Sequence, residues 1–308
     1  MSNTPNIFKV TMLGTASAMP VRDRTQSAQA LQVHGRLFLI DCGEGTQYKM
    51  VQYGIPMMKM DSVFISHIHG DHVFGIFGLL STLGMKGRTV PLNIFAPANF
   101  GPILKFFLSY YGEGIPFEIR FTPLKMKEPE TILETKATEV LAFPLNHGIE
   151  TFGFLFREKE PLYNIRKECI AEYGLTLTEI GTLKRGEDVV RADGTVIPLS
   201  VAAYKPYEPR SYAYCSDTAP FPEEAAWLKG TTVIYHEATY TDEFAQEGEK
   251  RRHSTARQAA QVALDAGAGR LIIGHYTSRN VEEAVFTKEC RSVFPESFAA
   301  RDGDVFEI

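Results

Sequence analysis

The amino-acid sequence predicts a layered α/β sandwich, and three observations support that fold class. Short apolar segments typical of strands alternate with longer segments that have helical periodicity. The pattern occurs twice, once in each half of the chain. In both halves, histidine and aspartate residues follow the ends of predicted strands, which is where open α/β sheets place their ligands.

The first half is predicted to be rich in strands. The segment His34-Gly35 between two of them is typical of a hairpin turn. The predicted strands cover residues 8–13, 29–33, 36–40, 61–66, 91–95, 117–121 and 140–144. Helices are predicted over residues 71–83, ending near Gly84, and over residues 100–111.

The middle of the chain, about residues 157–210, loses this regular pattern. It holds nine basic and nine acidic side chains, so it is neutral as a whole. We expect an inserted arm here that has no hydrophobic core of its own. The regular pattern then resumes, with strands predicted over residues 211–215, 232–236, 270–273 and 305–308. Helices are predicted over residues 254–266, with Ser254 as the N-cap, and over residues 281–293.

Composition restricts the classes of protein that fit. Hydrophobic residues make up 44% of the 308 residues, which is enough for a core without disulfides. The net charge of −5 argues against a general nucleic-acid coat protein, although a nucleic-acid enzyme with a local basic patch still fits. The four cysteines are far apart, as expected of reduced, buried thiols. With no secretory signal and no apolar run of about 20 residues, we expect a cytoplasmic protein without a membrane segment.

The segment from His67 to His72 carries the strongest chemical signal. In an extended chain residues i and i+2 point to the same side, so His67 and His69 can aim both imidazoles at one point. Asp71 and His72 open the following helix and can face a second point nearby. Imidazole nitrogens and carboxylate oxygens together suit zinc. An accidental polar loop is the competing interpretation, and three histidines with an aspartate in six residues argue against it.

Two metal ions need more ligands than this loop supplies. Three further candidates, His147, Asp217 and His275, each follow a predicted strand beside small or turn-forming residues. Taken singly, each of these side chains could be structural. Taken together, they complete two sites that share one carboxylate.

The order H-x-H-x-D-H, then His, Asp and His, resembles the metallo-β-lactamase superfamily, and further motifs resemble ribonuclease Z within it. These are residues 13–17 (LGTAS), residues 41–46 (DCGEGT), residues 236–239 (HEAT) and residues 253–255 (HST). The resemblance covers nearly the whole chain. It implies a single domain over residues 1–308 with a four-layer αββα sandwich, and a flexible arm at about 157–210 that binds tRNA.

The resemblance also assigns roles to residues. It implies that one zinc ion is held by His67, His69 and His147, the other by Asp71, His72 and His275, and that Asp217 bridges them. Asp41 would be a structural carboxylate and Asp71 the proton acceptor. His253 is the candidate for protonating the leaving 3′ oxygen or steadying the phosphate, and His236 and Glu237 would lie near it in support. A helix N-terminus after His253 would suit an anion.

The implied activity is removal of the 3′ trailer from precursor tRNA by a homodimer. The products would be a tRNA with a 3′ hydroxyl and a trailer with a 5′ phosphate. Lys184 and Arg185 in the arm, and Arg24 in an N-terminal loop, are the candidate tRNA contacts. Two departures from the family stand out: the arm lacks the usual Gly-Pro motif, and Thr25 replaces the usual Asn. A plain solvated loop is the alternative interpretation of the arm.

The sequence leaves two alternative functions open and excludes a third. The metal ligands alone also fit another hydrolase of this fold, such as a thioesterase, a lactonase, an arylsulfatase or a small-molecule phosphodiesterase. A metal-free interaction subunit would not need every ligand position filled. Nucleotide binding through a P-loop or Rossmann motif is excluded, because residues 13–17 lack the required glycine and lysine spacing. Zinc is the expected metal, with manganese and iron as alternatives.

Overall fold

The computed structural model describes residues 7–19, 21–279 and 282–308, which form two compact units. The first unit comprises the chain up to residue 134 together with residues 140–156 and 211–308. The second comprises residues 135–139 and 157–210. The second unit therefore contains the whole segment predicted as an arm.

The strands and helices are numbered in chain order. The strands are β1 (Phe8–Gly14), β2 (Ala28–Val33), β3 (Arg36–Ile40), β4 (Met60–Phe64), β5 (Leu92–Pro97), β6 (Ile119–Leu124), β7 (Glu130–Glu134), β8 (Thr138–Pro144), β9 (Phe152–Glu158), β10 (Asn164–Ile165), β11 (Val189–Val190), β12 (Val196–Ile197), β13 (Ala203–Tyr204), β14 (Ser211–Cys215), β15 (Val233–Glu237), β16 (Arg270–Gly274), β17 (Ser297–Ala299) and β18 (Val305–Glu307). The helices are α1 (Thr46–Gln52), α2 (Gly70–Val73), α3 (Gly75–Met85), α4 (Phe100–Tyr111), α5 (Lys167–Glu172), α6 (Leu177–Lys184), α7 (Leu199–Ala202), α8 (Glu224–Trp227), α9 (Ala245–Arg251), α10 (Ala256–Asp265) and α11 (Glu283–Arg291).

Two seven-stranded sheets dominate the described residues. The first has the order β18-β1-β2-β3-β4-β5-β6, and its strands β3 to β6 are parallel. The second has the order β17-β16-β15-β14-β9-β8-β7, and its strands β14 to β17 are parallel. Parallel strands end at the same edge of a sheet, so the loops that follow them collect there.

Alternating side chains show how the layers of the first unit are stacked. In β3, Leu37 and Leu39 face the apolar cluster shared with the helices, whereas Phe38 and Ile40 face the cluster between the two sheets. The second sheet repeats this arrangement, with alternate residues of β14 and β16 packing either against the first sheet or against α10 and α11. The predicted four-layer αββα sandwich of the metallo-β-lactamase type is confirmed.

Most predicted elements are present, with shifted ends. The helix predicted over residues 71–83 is two helices, α2 and α3, which meet at Phe74. The N-cap predicted at Ser254 is wrong: Thr255 caps α10, because its hydroxyl accepts from the Gln258 N–H while the Gln258 side chain bonds back. The first residue of the helix predicted over 281–293 lies outside the described residues. Sequence periodicity also missed α1, β7, β9 and β17.

The arm has a core, so the expectation that it lacks one is wrong. Six buried apolar side chains pack together within it: Cys169, Leu175, Leu183, Val189, Ile197 and Ala202. Helix α6 begins with a complete capping box formed by Thr176 and Glu179. The Arg191 guanidinium bonds both Glu179 and the carbonyl of Tyr173. Because the apolar residues come from short, separate elements, they produced no periodic signal in the sequence.

Candidate metal centre

The segment from His67 to His72 leaves the end of β4 and turns into α2. Ser66 and His67 are buried, and His69 is the N-cap residue with an extended backbone (φ −63°, ψ 147°). Gly70 then opens α2, where an added Cβ would lie 2.3 Å from the Phe74 ring. The local geometry therefore matches the predicted extended segment followed by a helix, with Asp71 and His72 in the first turn.

Four of the predicted ligands form one cluster, His67, His69, His147 and Asp217. Nε2 of His67 lies 3.0 Å from Nδ1 of His69, and Nε2 of His147 lies 3.4 Å from the same atom. Oδ2 of Asp217 is 3.5 Å from His67 Nε2 and 3.8 Å from His147 Nε2. Three ring nitrogens and one carboxylate oxygen thus converge on one point.

The other ligands form a second cluster, Asp71, His72, Asp217 and His275. Nε2 of His72 and Nε2 of His275 are 3.2 Å apart, and each lies 3.4 Å from Oδ2 of Asp71. Oδ1 of Asp217 is 3.3 Å from His72 Nε2 and 3.1 Å from His275 Nε2. Asp217 therefore presents Oδ2 to the first cluster and Oδ1 to the second, as expected of a bridging carboxylate.

Outer hydrogen bonds orient four of the imidazoles. Nδ1 of His72 lies 2.7 Å from Oδ2 of Asp41, and Nδ1 of His275 lies 2.8 Å from the Thr239 hydroxyl. Nδ1 of His147 is 3.0 Å from the Arg252 carbonyl, and Nδ1 of His67 is 3.0 Å from the Ser66 hydroxyl. Such partners fix the ring orientation of metal-binding histidines and direct Nε2 inward.

Asp41 makes several of the hydrogen bonds that surround the two clusters. It is fully buried, has a left-handed backbone (φ 54°), and accepts hydrogen bonds from the Ser66 N–H, the Ser66 hydroxyl and the Tyr214 hydroxyl. Its contact with His72 completes four interactions. Asp41 therefore has the structural position that the family resemblance implies.

The donor set fits two zinc ions. Nδ1 of His72 must donate to Asp41, so a neutral His72 directs the lone pair of Nε2 toward Nε2 of His275 at 3.2 Å. Oδ1 of Asp217 is buried and has no hydrogen-bond partner among the described residues. A bound cation would relieve both features, because it accepts lone pairs from nitrogen and oxygen.

Electrostatics keep most of the candidate ligands in the form that binds metal; His72 is the exception, because Asp217, Asp71 and Asp41 outweigh burial and raise its pKa well above the usual range. Burial, with the nearby His72, lowers the pKa of His67 well below its usual range, and burial also lowers the pKa values of His69 and His147. Burial raises the pKa of Asp217, but the neighbouring histidines outweigh it and hold that pKa well below the usual range. Neutral imidazoles and ionised carboxylates are the forms that coordinate metals.

A second constellation, Glu237 and His253, lies beside the clusters. Oε1 of Glu237 is 2.8 Å from Nδ1 of His253 and also accepts the N–H groups of Thr218 and Ser254. Its Oε2 accepts the N–H and hydroxyl of Thr239. Burial disfavours the charged imidazole, yet the Glu237 carboxylate outweighs burial and raises the pKa of His253 to about 9.

An open cleft of about 670 Å³ joins these groups. Both clusters contribute to its lining through His69, Asp71, His147, Asp217 and His275, and His253 lines it as well. Because Glu237 already holds Nδ1 of His253, Nε2 is the ring atom that can reach a bound molecule. The cleft thus combines two metal clusters with one oriented imidazole.

His236 does not reach this cleft, although its neighbour Glu237 supports it. Adjacent residues of a strand face opposite sides, so His236 is fully buried on the helix side of β15. There Nε2 lies 3.1 Å from Oε1 of Glu224. Of the two predicted supporting residues, the structure brings only Glu237 to the cleft.

Most N–H groups at the start of α10 already have partners, contrary to the expectation that they would be open to an anion. The N–H of Ser254 bonds Glu237, that of Ala256 bonds the Tyr240 carbonyl, and that of Gln258 bonds the Thr255 hydroxyl. Because these donors are occupied, His253 is the residue of this segment that we expect to contact a molecule bound in the cleft.

Arg24 is held in a network of its own. Its Nη1 donates to the Thr15 hydroxyl and the Ala300 carbonyl, its Nη2 pairs with Glu283 at 2.7 Å, and its guanidinium lies 4.4 Å from the centroid of the Tyr276 ring. A phosphate group would have to displace one of these partners. The predicted phosphate contact of Arg24 stays a prediction, and the observed contacts give the residue a structural task.

The two predicted arm contacts, Lys184 and Arg185, are exposed at the end of α6. Arg185 lies 3.9 Å from Glu187, and both side chains are more than half exposed. Such a pair contributes little to stability, so both cations remain available to a ligand.

Two arginines line the cleft that the sequence analysis missed, Arg251 and Arg279. Arg251 is exposed, and the Arg279 guanidinium packs 4.5 Å from the centroid of the Phe244 ring and 3.4 Å from Glu247. Their closeness in sequence to His253 and His275 was the available signal. Cations at the mouth of a metal cleft suit a phosphate substrate.

The four cysteines are all buried and unpaired, as predicted. Among the described residues, no helix is both long and apolar enough to cross a membrane. The predicted cytoplasmic location stays a prediction.

Comparison with known proteins gives the fold and the family context. A model described as "Beta-lactamase superfamily domain" matches residues 170–276, and one described as "Anti-Pycsar protein Apyc1" matches residues 8–108. The human tRNase Z short form superimposes with a TM-score of 0.70 at 23% identity, covering 97% of this chain and 98% of that one. YhfI of Bacillus subtilis, a metallo-β-lactamase fold protein, gives 0.69 at 19% identity, covering 98% and 100%.

Curated relatives are more similar in sequence. Ribonuclease Z of Cytophaga hutchinsonii is 41% identical over 302 residues, covering 98% of this chain and 96% of the relative. Ribonuclease Z of Parabacteroides distasonis is 37% identical over 296 residues, covering 96% and 97%. Similarity of this extent includes both the cleft and the arm.

Proposed function

Because the chain belongs to the ribonuclease Z family, we propose that it is a two-zinc endoribonuclease that removes the 3′ trailer from precursor tRNA. One observation carries the proposal. The carboxylate of Asp217 presents one oxygen to each ligand cluster, in a cleft that His253 also lines. Two metals and a positioned imidazole together suit hydrolysis of a phosphodiester.

The ligand clusters define which residues would hold the ions. His67, His69 and His147 would hold one zinc, Asp71, His72 and His275 the other, and Asp217 would bridge them. When bound, the two ions would lower the pKa of an attacking water and neutralise charge on the phosphate oxygens.

Asp71 is the proposed proton acceptor. Its Oδ2 faces His72 and His275, and its side chain lines the cleft, so the carboxylate is within reach of water there. The neighbouring imidazoles outweigh burial and hold its pKa below the usual range, so the group is ionised.

His253 is proposed to act at the leaving oxygen. Glu237 fixes Nδ1 at 2.8 Å, so the ring can present an Nε2 proton to the cleft without reorienting. In the reaction, water oxygen bonds to phosphorus as the bond to the 3′ oxygen breaks. The 3′ oxygen takes up a proton, so tRNA would end in a 3′ hydroxyl and the trailer would carry the 5′ phosphate.

Arg251 and Arg279 are proposed to contact the phosphates on either side of the cleaved bond. They are the arginines among the described residues that line the cleft. The exposed Lys184 and Arg185 would bind a different part of the tRNA through its backbone. Phosphate contacts of both kinds would make binding depend on salt.

A homodimer in which one subunit's arm serves the partner's cleft is also proposed. Tyr48 and Val51 on α1 and Phe74 between α2 and α3 are exposed, and α1 packs against α3. Exposed apolar side chains on neighbouring helices suit a subunit interface. Sedimentation of the purified protein tests its oligomeric state. A monomer at micromolar concentration would contradict the proposed homodimer.

Cleavage of an end-labelled precursor tRNA, with the cut site mapped, tests the activity. A cut at the trailer junction that leaves a 3′ hydroxyl on the tRNA is expected. Bis(p-nitrophenyl) phosphate and a thioester, assayed in parallel, separate this function from another hydrolase of the fold. Preferential hydrolysis of either small substrate, with precursor tRNA left intact, would reject the proposal.

A further inference from the structure

Three residues behind the cleft form a buried cluster that the proposed function does not use: Cys215, Glu224 and His236. Each is fully buried, and their donor atoms all lie within 4.8 Å of one another. Cys215 ends β14, and His236 is its register partner on β15. Glu224 comes from α8. The cluster therefore joins two strands and a helix.

Without a cation, this cluster needs an additional proton and leaves one buried carboxylate oxygen without a hydrogen-bond partner among the described residues. Nδ1 of His236 lies 2.6 Å from the Glu237 carbonyl, so it must carry a proton and donate. The contact of Nε2 with Glu224 at 3.1 Å then requires either a second proton on the imidazole or a protonated carboxyl. Oε2 of Glu224 is buried with no hydrogen-bond partner among the described residues, and the Cys215 thiol is only a weak donor.

A bound metal ion would satisfy every one of these atoms. An imidazole that donates one ring N–H to a backbone carbonyl, leaving the other nitrogen for a ligand, is the arrangement that metal-binding histidines adopt. Thiolate, carboxylate and imidazole are all zinc ligands, and the two carboxylate oxygens would bring the donor atoms to four. The charges of a thiolate, a carboxylate and a divalent ion cancel, which removes the cost of an unpaired buried charge.

We propose that Cys215, Glu224 and His236 form a third metal site, structural in character, that holds a divalent transition metal of the zinc class. Binding releases the thiol proton of Cys215 to solvent as the sulfur–metal bond forms. The site would fix the ends of β14 and β15. Asp217 follows Cys215 by two residues and Glu237 follows His236 directly, so the ion would hold two functional carboxylates in place.

Because the three side chains are fully buried, the ion has to enter as the chain folds. The test is therefore to produce the full chain in cobalt-supplemented minimal medium and to measure metal content and absorption. The two clusters of the cleft contain only nitrogen and oxygen ligands, so a near-ultraviolet sulfur-to-cobalt charge-transfer band reports the third site alone. Three cobalt ions per chain and this band are expected.

Single substitutions test whether Cys215 gives rise to the charge-transfer band. Cys215→Ala should lose it and one cobalt ion per chain, while the visible bands of the cleft ions persist. Cys290→Ala is the matched control, because Cys290 is buried in the same apolar cluster but is not among the three ligands. It should keep both the band and the third ion. If Cys215→Ala does not fold, Glu224→Gln, which is similar in volume, replaces it, and the same losses are expected.

Two results would overturn the proposal: two cobalt ions per chain with no sulfur band, or a band that survives Cys215→Ala. Either would leave the cluster a hydrogen-bonded triad. Cleavage of precursor tRNA by the same preparations is recorded separately. An inactive protein with the band would count against the proposed function alone, and an active protein without it against the third site alone.

Discussion

The cleft and the arm hold their charged groups in opposite ways. In the cleft, Asp217 and His275 are almost fully buried, and short contacts tie them to one another and to the other ligands. In the arm, Lys184 and Arg185 are exposed, and Arg185 has surface contacts with the Thr182 hydroxyl at 3.3 Å and with Glu187 at 3.9 Å. Buried converging groups can perform chemistry because their field is poorly screened, whereas exposed charges can only attract a ligand.

The arm is nevertheless a folded element. Its apolar core and the Glu179–Arg191 pair at 2.7 Å organise it without help from Lys184 or Arg185. Substitution of those two cations therefore changes charge and leaves the fold of the arm in place. We expect changes in the cleft to lower kcat on any phosphodiester and changes in the arm to raise KM for tRNA alone.

The largest effect is expected from the bridging carboxylate. Asp217→Ala removes the oxygens that face both clusters, and Asp71→Ala removes the proposed proton acceptor. Each should lower cleavage of precursor tRNA about 10³-fold or more, since metal ions contribute several kcal/mol to the transition state. Metal content by mass spectrometry should fall in Asp217→Ala. Near-normal cleavage by either variant would make the ligand assignment wrong. Removal of metal from the unsubstituted protein with a chelator should cause the same loss of cleavage.

His253→Ala is expected to have the next largest effect. Loss of a positioned proton donor should lower kcat by about 10²- to 10⁴-fold on both precursor tRNA and bis(p-nitrophenyl) phosphate, with KM little changed. Metal content should stay at the parent value. Glu237→Gln should show a smaller loss, because the ring remains but its orientation is less well fixed. If His253→Ala raises KM and leaves kcat intact, the residue binds the substrate and does not transfer the proton.

Arg251→Ala should weaken the binding of substrate phosphate groups in the cleft. We expect a fall in kcat/KM of about tenfold on precursor tRNA, equivalent to about 1.4 kcal/mol of lost interaction. Arg251→Lys is the matched control and should recover part of the loss, because it restores the charge. A variant that matches the parent on every substrate would remove Arg251 from the proposed phosphate contacts.

The smallest effect is expected in the arm. The pair Lys184→Ala and Arg185→Ala should raise KM for precursor tRNA about fivefold, since exposed charge contacts contribute about 0.2–1 kcal/mol each. The slope of a plot of the logarithm of the tRNA association constant against the logarithm of the salt concentration should become shallower by about 2. The same charge change at the exposed Lys86 and Lys125 is the control and should alter neither quantity. Equal effects from both pairs would mean that the arm acts only through overall charge.

The segment His67 to His72 was predictable because its chemistry is local. The period of two in an extended chain and the turn at Gly70 settle which side chains converge, and both follow from adjacent residues. The distant candidates Asp217 and His275 were predictable because the parallel strands β14 and β16 end at one edge of a sheet. His147 was predictable because it follows β8 beside turn-forming residues. The layered α/β class followed from the alternation of strands and helices, and the resemblance to the metallo-β-lactamase superfamily implied the αββα order of the layers.

The helix cap, the arm core and the cleft arginines depend on partners that are remote in sequence. Ser254 is at least as good a cap as Thr255 by residue type, but its hydroxyl donates to the Thr218 carbonyl, and Thr255 caps the helix. Arg24 lies in a loop that resembles a substrate-binding loop of the family. In the structure, however, its guanidinium forms an ion pair with Glu283, which is far away in the sequence.

The sequence by itself therefore determined the fold class and the set of candidate ligands, because strand periodicity and ligand spacing are properties of neighbouring residues. Tertiary structure alone decided that Glu237 supports the cleft while His236 turns to Cys215 and Glu224, and that each oxygen of Asp217 faces a different cluster. The physical reason is that these roles depend on which side chains from separate elements occupy the same few ångströms. Spacing along the chain does not encode that information.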